Sequence, residues 1–163
     1  MLEYLSEAVV LSREPSGDLD SRFSVFTKRF GKLVGKAKSA RKITSKLAGH
    51  LEPGNLVFLR IVEKSGLQIV DALKQERAAL SHYDLHCLDR LLGEGEPDPA
   101  LWQLISRDFG WRKALSLLGW DAREARCETC GKRDPLWFDL GGQRFFCEAC
   151  ASKAKKGEVL YIG

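Results

Sequence analysis

Two Cys-x-x-Cys pairs near the end of the sequence constrain its folding more than any other feature. They are Cys127 with Cys130 and Cys147 with Cys150. Two such pairs can supply the four thiolates of a tetrahedral zinc site with no open position, so the metal would be structural. In a reducing compartment this arrangement indicates a metal site sooner than disulfides. The sequence therefore predicts a zinc finger over residues 127–150 that binds one structural Zn²⁺.

The residues between the two pairs predict a β-hairpin. Aromatic and apolar residues run from Trp137 to Phe146 around a turn at Gly141 and Gly142. The fifth cysteine, Cys87, falls on the apolar side of a predicted helix, where a small inert thiol is ordinary. We assign it no role.

A second feature is a run of positive charge over residues 26–46, which hold eight lysines and arginines and no carboxylate. Between Lys32 and Lys38 the side chains alternate, so the lysines share one face of a β-strand and Leu33, Gly35 and Ala37 share the other. One lysine-rich strand is commonly a solvated edge. The uninterrupted sign over this length favours a surface for polyphosphate. The predicted nucleic-acid-binding residues are Arg29, Lys32, Lys36, Lys38, Arg41, Lys42 and Lys46.

Five predicted strands account for the first 75 residues. Apolar runs and period-two alternation place them at residues 8–13, 22–26, 32–38, 56–62 and 67–73. This layout is that of an OB-type barrel, although an SH3-like barrel would look similar at this stage. OB-type barrels bind oligonucleotides across strands two and three, where the positive charge lies. Residues 39–54 lose the pattern and fit either a helix capped at Ser39 or a loop.

Beyond Asp71 the period changes to that of helices. Apolar residues from Leu80 to Leu92 recur every three or four positions, which predicts an amphipathic helix. Asp98 and Pro99 predict the start of a second helix, bent at Gly110 and ending near residue 119. The sequence thus predicts an α+β protein, with an OB-fold over residues 1–75 and a helical domain carrying the zinc finger over residues 76–163.

Composition and motif searches narrow the function. Hydrophobic residues make up 44% of the chain, which is enough for a packed core, and the net charge of +4 is mild. The start of the sequence lacks the pattern of a signal peptide and no segment reaches about 18 apolar residues, so we expect an intracellular protein with no membrane partner. No catalytic motif is present. Asp18 and Asp20 are the only acids that invite a nuclease interpretation, and turn roles explain them more simply.

Several segments together resemble the RecO family of bacterial recombination mediators. The barrel part is similar in residues 8–11, in Gly31-Lys32, in residues 35–41 and in residues 51–54. The second half is similar in residues 117–120 and in both cysteine pairs. Two departures stand out: family members usually continue for several helices after the last cysteine pair, and the turn after strand one is replaced here by residues 15–18.

The resemblance implies an OB-fold joined to a helical domain with a zinc finger, and no enzyme. It implies a cytoplasmic, nucleoid-associated protein that binds single- and double-stranded DNA and anneals complementary strands. Its partners would be RecR and single-strand binding protein, which RecA replaces on DNA. The helical part, through which the family contacts both partners, is shorter in this chain. The family's basic segment falls on Lys36, Lys38, Arg41 and Lys42, with Lys32 and Lys46 alongside. The alternative from another class is a zinc-containing RNA-binding or translation-associated protein.

Overall fold

The computed structural model describes residues 1–154 and 159–163, which form two compact units, Met1–Arg107 and Asp108–Gly163. The first unit contains a five-stranded barrel and two helices. The second contains two short helices and a three-stranded sheet. In chain order the elements are β1 (Leu2–Ser16), β2 (Asp20–Thr27), β3 (Gly31–Ala37), β4 (Asn55–Glu63), β5 (Leu67–Arg77), α1 (His82–Leu91), α2 (Pro99–Ser106), α3 (Trp111–Leu117), β6 (Trp137–Asp139), β7 (Arg144–Phe146), α4 (Glu148–Ala151) and β8 (Val159–Tyr161).

The barrel has the strand order β1-β2-β3-β5-β4 and closes because β4 also pairs with β1. All of its pairings are antiparallel except that of β3 with β5, which is parallel and meets at Lys36 and Gln68. A closed five-stranded barrel with this non-sequential order is an OB-type fold, which decides between the two barrels that the sequence left open. The predicted fold class is confirmed.

Inward-facing residues of the five strands fill the barrel. The alternation predicted for β3 holds: Ala37 is fully buried and Leu33 packs against the core, while Lys36 is exposed. Strand β1 begins at Leu2, earlier than the predicted residue 8, because its first half pairs in register with β4. The outward-facing residues of this first half are polar or exposed, so the hydrophobic pattern of the sequence did not predict that the strand begins at Leu2. The buried members of the core are Ala8, Val10, Phe23, Val25, Ala37, Ala40, Leu51, Val57, Leu59, Ile61, Ile69 and Ala72.

The connection between β3 and β4 is a succession of turns and not a helix. Ala40 and Leu51 are both completely buried in the barrel core, and Leu47 packs against it. The Ser39 backbone N–H donates to the Asp20 carboxylate at 2.7 Å, which gives Asp20 a turn-binding role. Apolar anchors therefore fix this connection at intervals along its length.

Local capping signals position the helices of the first unit. Helix α1 begins after Ser81, whose hydroxyl accepts from the Asp84 N–H while the Asp84 carboxylate accepts from the Ser81 N–H. Asp98 caps α2 by accepting from the Leu101 N–H at 3.0 Å, as predicted. The prediction of one bent helix up to residue 119 is wrong. Helix α2 ends at Ser106, and a separate helix, α3, begins after the N-cap Gly110.

The second unit is built around its small sheet, in the order β7-β6-β8. The predicted hairpin is present as β6 and β7, and the Asp139 carboxylate accepts from the backbone N–H groups of Gly141 and Gly142 at its turn. Strand β8 was not predicted from the sequence. Phe138 is fully buried and contacts the rings of Trp120 and Phe145, with centroids 5.5 and 5.0 Å away.

The two compact units divide between residues 107 and 108, so α1 and α2 belong to the same unit as the barrel. The predicted domain boundary at residue 75, which separates the OB-fold from the helices, stays a prediction.

Among the described residues, none of the helices has the length and apolar character needed to cross a membrane.

Gly31 provides a test of the packing beside β3. Its φ of +70° is left-handed, and a Cβ there would lie within 2.6 Å of the Glu96 backbone. Gly17 has nearly the same φ, +68°, and open space around it. We expect Gly17→Ala to lower the free energy of unfolding by about 1 kcal/mol through backbone strain alone. Gly31→Ala should cost roughly 1 to 3 kcal/mol more through overpacking. Urea denaturation of both variants measures the difference, and equal losses would contradict the close approach.

Candidate nucleic-acid interface and metal site

Exposed cations gather at the end of β3 and along the connection that follows it. Lys36 is exposed on the outward side of β3, and Lys38 is exposed directly after the end of the strand. Arg22 of β2 is directly opposite Lys36 in the strand register, so the two side chains share a face, and Arg22 is also exposed. Sequence reasoning missed Arg22 because it lies outside the basic run, although its place next to the inward Phe23 marks it as outward-facing. We call Arg22, Lys36, Lys38, Arg41, Lys42 and Lys46 the basic surface.

Backbone hydrogen bonds hold the connection that carries the rest of the basic surface. The Arg41 N–H donates to the Leu19 carbonyl at 2.9 Å, and the Arg41 guanidinium donates to the Gly17 carbonyl at 3.1 Å. The Lys42 N–H donates to the Ser39 carbonyl at 3.1 Å. The side chains of Arg41, Lys42 and Lys46 are all exposed. Because the backbone that carries these cations is already ordered, less conformational entropy of the protein is lost when an anionic ligand binds.

Lys32 has a different environment from the other predicted lysines. Its side chain is only 12% exposed, and its ammonium lies 3.0 Å from the Asp89 carboxylate. It also donates to the carbonyls of Asp89 and Leu92 at the carboxyl end of α1, where unpaired carbonyls and the helix dipole favour a cation. Burial favours the neutral acid at Asp89, but hydrogen bonds from Ser24 and Lys32 lower its pKa overall. The charge of Lys32 is thus compensated within the barrel unit.

Acidic groups border the basic surface beside Lys32 and beside Arg22, which is directly opposite Glu14 in the strand register. A polar cleft there is lined by Glu14, Asp89 and Glu94 as well as by Arg22 and Lys32. Carboxylates repel phosphate, so they limit the region that an anionic chain can occupy to the open end of the β2–β3 hairpin, which carries Lys36 and Lys38. The basic run does not predict this border, because all three acids lie outside it.

Arg29 lies at the opposite end of the hairpin from Lys36 and Lys38. It is in the turn between β2 and β3, and its guanidinium lies over the Phe30 ring, 5.3 Å from the centroid, and donates to the Leu5 carbonyl at 3.3 Å. Lys36 comes five positions after Gly31, which is about 16 Å along an extended strand. The structure therefore does not bring Arg29 together with the basic surface.

The phenylalanines beside the lysines serve the core. Phe23 is fully buried and Phe26 is 1% exposed. Phe30 is half-buried and packs edge-on against Tyr4, with ring centroids 5.1 Å apart. Phe23 and Phe26 therefore present no open face on which a base could stack, and the Arg29 guanidinium lies over the Phe30 ring.

All four cysteines of the two pairs converge in the second unit. Every pair of their sulfur atoms lies within 4.8 Å, and Cys130 Sγ is 3.7 Å from Cys147 Sγ. A Zn–S bond of about 2.3 Å in a tetrahedron requires sulfur atoms about 3.8 Å apart, so this donor set fits a zinc ion. The Gly131 N–H donates to the Cys127 carbonyl and the Ala151 N–H donates to the Cys147 carbonyl, each at 2.9 Å. Each cysteine pair thus starts at a hydrogen-bonded turn.

The cysteine cluster also favours thiolate formation. Burial opposes ionisation of Cys127, yet backbone N–H groups of Cys130, Cys147 and Thr129 donate to its sulfur and hold its pKa at about 6. The neighbouring Cys147 thiol, burial and the charge of Cys127 raise the pKa of Cys150 to about 12. One negative sulfur is therefore readily formed, and further thiolates at this spacing need a cation to neutralise them.

Comparison with known proteins finds matches to a family model and to several DNA repair proteins. The family model described as "Recombination protein O N terminal" matches residues 1–77, the barrel. The chain is 28% identical over 155 residues to the DNA repair protein RecO of Geobacter sulfurreducens, a match that covers 79% of this chain and 64% of that protein. The chain therefore spans less than two thirds of that relative's length.

Further relatives match a larger share of the chain. The chain is 25% identical over 175 residues to the DNA repair protein RecO of Bifidobacterium longum, covering 90% of this chain and 73% of that protein. It is 23% identical over 184 residues to the protein of that name from a Thermoanaerobacter species, covering 96% of this chain and 74% of the relative. The family model thus matches the OB-type barrel, and the chain over most of its length is similar to DNA repair proteins of the RecO family.

Proposed function

We propose that this protein is a non-enzymatic DNA-binding protein of recombinational repair. It binds single- and double-stranded DNA, promotes annealing of complementary strands and, with RecR, helps RecA to load onto DNA coated by single-strand binding protein. The observation that carries the proposal is the basic surface, a set of exposed cations on an anchored part of an OB-type barrel. The DNA repair proteins RecO among its relatives support it.

The basic surface suits the phosphate backbone more than the bases. Lysine ammonium and arginine guanidinium groups neutralise phosphates and release condensed counterions, a contribution that does not depend on base sequence. Phe23 and Phe26, the aromatic residues of β2, are buried in the barrel and offer no platform on which a base could stack. Recognition through phosphates is consistent with a protein that must act on any strand, whether single or paired.

Lys32 has a positioning role in this proposal. Its ion pair with Asp89 ties the carboxyl end of α1 to β3, next to the basic surface. Arg29, in the turn of the hairpin, lies outside the DNA path. The contacting residues are the exposed cations alone: Arg22, Lys36, Lys38, Arg41, Lys42 and Lys46.

The four cysteines bind one structural Zn²⁺ in this proposal. Cys127, Cys130, Cys147 and Cys150 supply all four ligands, so no position remains for substrate or water. The bound ion would cross-link the turn before the β6–β7 hairpin to the turn after it. Its contribution is to the folding of the second unit, on the order of the ~10 to 16 kcal/mol apparent for zinc-binding peptides.

The dependence of DNA affinity on salt tests the basic surface. Each phosphate neutralised on a single strand contributes about 0.7 to the slope of log affinity against log salt concentration. We therefore expect the double variant Lys38→Gln/Lys42→Gln to flatten the slope by roughly 1.4, as measured by fluorescence anisotropy with a labelled oligonucleotide.

A matched control removes two cations elsewhere on the same barrel. Lys28 and Arg60 lie in exposed ion pairs with Glu7 and Glu3. Lys28→Gln/Arg60→Gln should leave the slope unchanged, since these side chains lie outside the basic surface. Equal flattening by the two double variants would show that only net charge matters and would refute the assigned surface.

Strand annealing tests the mediator function itself. The protein should accelerate the pairing of complementary oligonucleotides, followed by loss of fluorescence from a donor and quencher pair, with and without single-strand binding protein. The Lys38→Gln/Lys42→Gln variant should anneal more slowly than the matched control. Absence of any acceleration by the intact protein would remove annealing from the proposal.

Competition between single-stranded DNA and RNA of the same sequence distinguishes a recombination mediator from an RNA-binding or translation-associated protein, because a mediator should not require the 2′-hydroxyl.

Metal content tests the zinc site. We expect one zinc per chain in protein purified without chelator, and a large loss of zinc in Cys130→Ser because three thiolates leave the coordination incomplete. The control is Cys87→Ala, which removes the buried cysteine of α1 and should keep one zinc per chain. Elemental analysis by mass spectrometry measures both. Wild-type protein without zinc, or equal zinc content in the two variants, would contradict the site.

A further inference from the structure

Ile43 is the most exposed large hydrophobic residue among residues 1–154 and 159–163, with a relative exposure of 105%. Single exposed apolar side chains are normal on protein surfaces, but most retain partial contact with a neighbour. Ile43 has none of that shielding. It lies within the basic surface, two residues after Arg41 and three before Lys46, with Lys42 beside it.

The structure of the connection sets Ile43 apart from its other apolar residues. Ala40 and Leu51 are buried in the barrel core, and Leu47 packs against that core. Backbone hydrogen bonds close the turns on both sides: Lys42 N–H to the Ser39 carbonyl at 3.1 Å before Ile43, and Leu51 N–H to the Leu47 carbonyl at 3.0 Å after it. The turn that contains Ile43 is itself closed by Ser45 N–H donating to the Lys42 carbonyl at 2.9 Å. Ile43 is therefore held outward by a segment whose ends are fixed.

We propose that Ile43 contacts the bases of a bound single strand and inserts between two neighbouring bases. This inference rests on the proposed DNA binding. An aliphatic side chain gains nothing from phosphate, whereas the faces of nucleobases are apolar and their burial against Ile43 removes both from water. Isoleucine is among the side chains that act as wedges between base steps in DNA-binding proteins. The cations at positions 41, 42 and 46 hold the phosphates on either side of the inserted residue.

A single strand fits this geometry better than a duplex. Its bases are free to separate, so insertion requires only the loss of one stacking contact, whereas a duplex must also deform its groove. Insertion would hold neighbouring bases apart. Bases held apart and exposed are those that a second strand can pair with, which connects Ile43 to annealing.

Separate measurements distinguish the base contact from the phosphate contacts. An oligonucleotide with 2-aminopurine at its centre reports unstacking by increased fluorescence, and anisotropy across a salt series reports affinity and slope. We expect Ile43→Ser to lower affinity roughly five- to tenfold at every salt concentration, at the weak end of base-stacking contributions. The slope should stay unchanged and the fluorescence increase should be lost.

Two control variants complete the experiment. Lys42→Gln should flatten the slope by about 0.7 and keep the fluorescence increase, because it removes one phosphate contact. Ile43→Leu should keep both affinity and fluorescence, since it preserves apolar volume. Thermal unfolding should be the same for Ile43→Ser and wild type, because the side chain makes no packing contact in the folded protein.

The outcomes separate this inference from the function on which it rests. If Ile43→Ser binds with unchanged affinity and an unchanged fluorescence increase, the base contact is wrong and DNA binding through the cations stands. If wild-type protein shows no salt-dependent binding to the oligonucleotide, the proposed function is wrong and the inference fails with it. Loss of affinity without loss of the fluorescence increase would also overturn the wedge.

Discussion

Strand β3 is at once a wall of the barrel core and the start of the basic surface, and the rest of the first unit depends on this double role. Its period of two sends Ala37 into the core while Lys36 faces out. A slip of one residue would bury lysines and expose the apolar row, so the core fixes the register of the cations. The buried Ala40 and Leu51 extend this control into the connection. The hydrophobic effect thereby positions charges that make no contribution to the core themselves.

The lysines of one run serve different purposes because of their neighbours. Lys32 and Lys36 lie on the same strand, yet the first is 12% exposed against Asp89 and the second is open to solvent. A partly buried ammonium needs compensation, and Asp89 with the carbonyls at the end of α1 supplies it. Compensated in this way, Lys32 has little attraction left for a phosphate. Charge counted along a sequence therefore overstates the charge available to a ligand.

Local signals in the sequence predicted much of the fold, and long-range contacts account for what was missed. The five barrel strands, the Asp98 cap and the cysteine cluster follow from spacing and capping within short windows. The break between α2 and α3 was missed because apolar spacing continues across it. Strand β8 is three residues long and forms by pairing with β6, which no local pattern marks. The partner of Lys32 is 57 residues away, and Arg22 joins Lys36 only through strand register.

The second unit has a different basis for stability from the barrel. Strands β6, β7 and β8 have three residues each, and sheets of this size are marginal in water without further support. The buried Phe138 and its aromatic neighbours form a small core, and the cysteine cluster lies beside it with Phe146 and Trp137. Small units of this kind usually need a metal or disulfide because their surface is large relative to their core. A metal held by the four thiolates would therefore act through folding, which makes the cysteine cluster and the basic surface of the barrel separable by mutation.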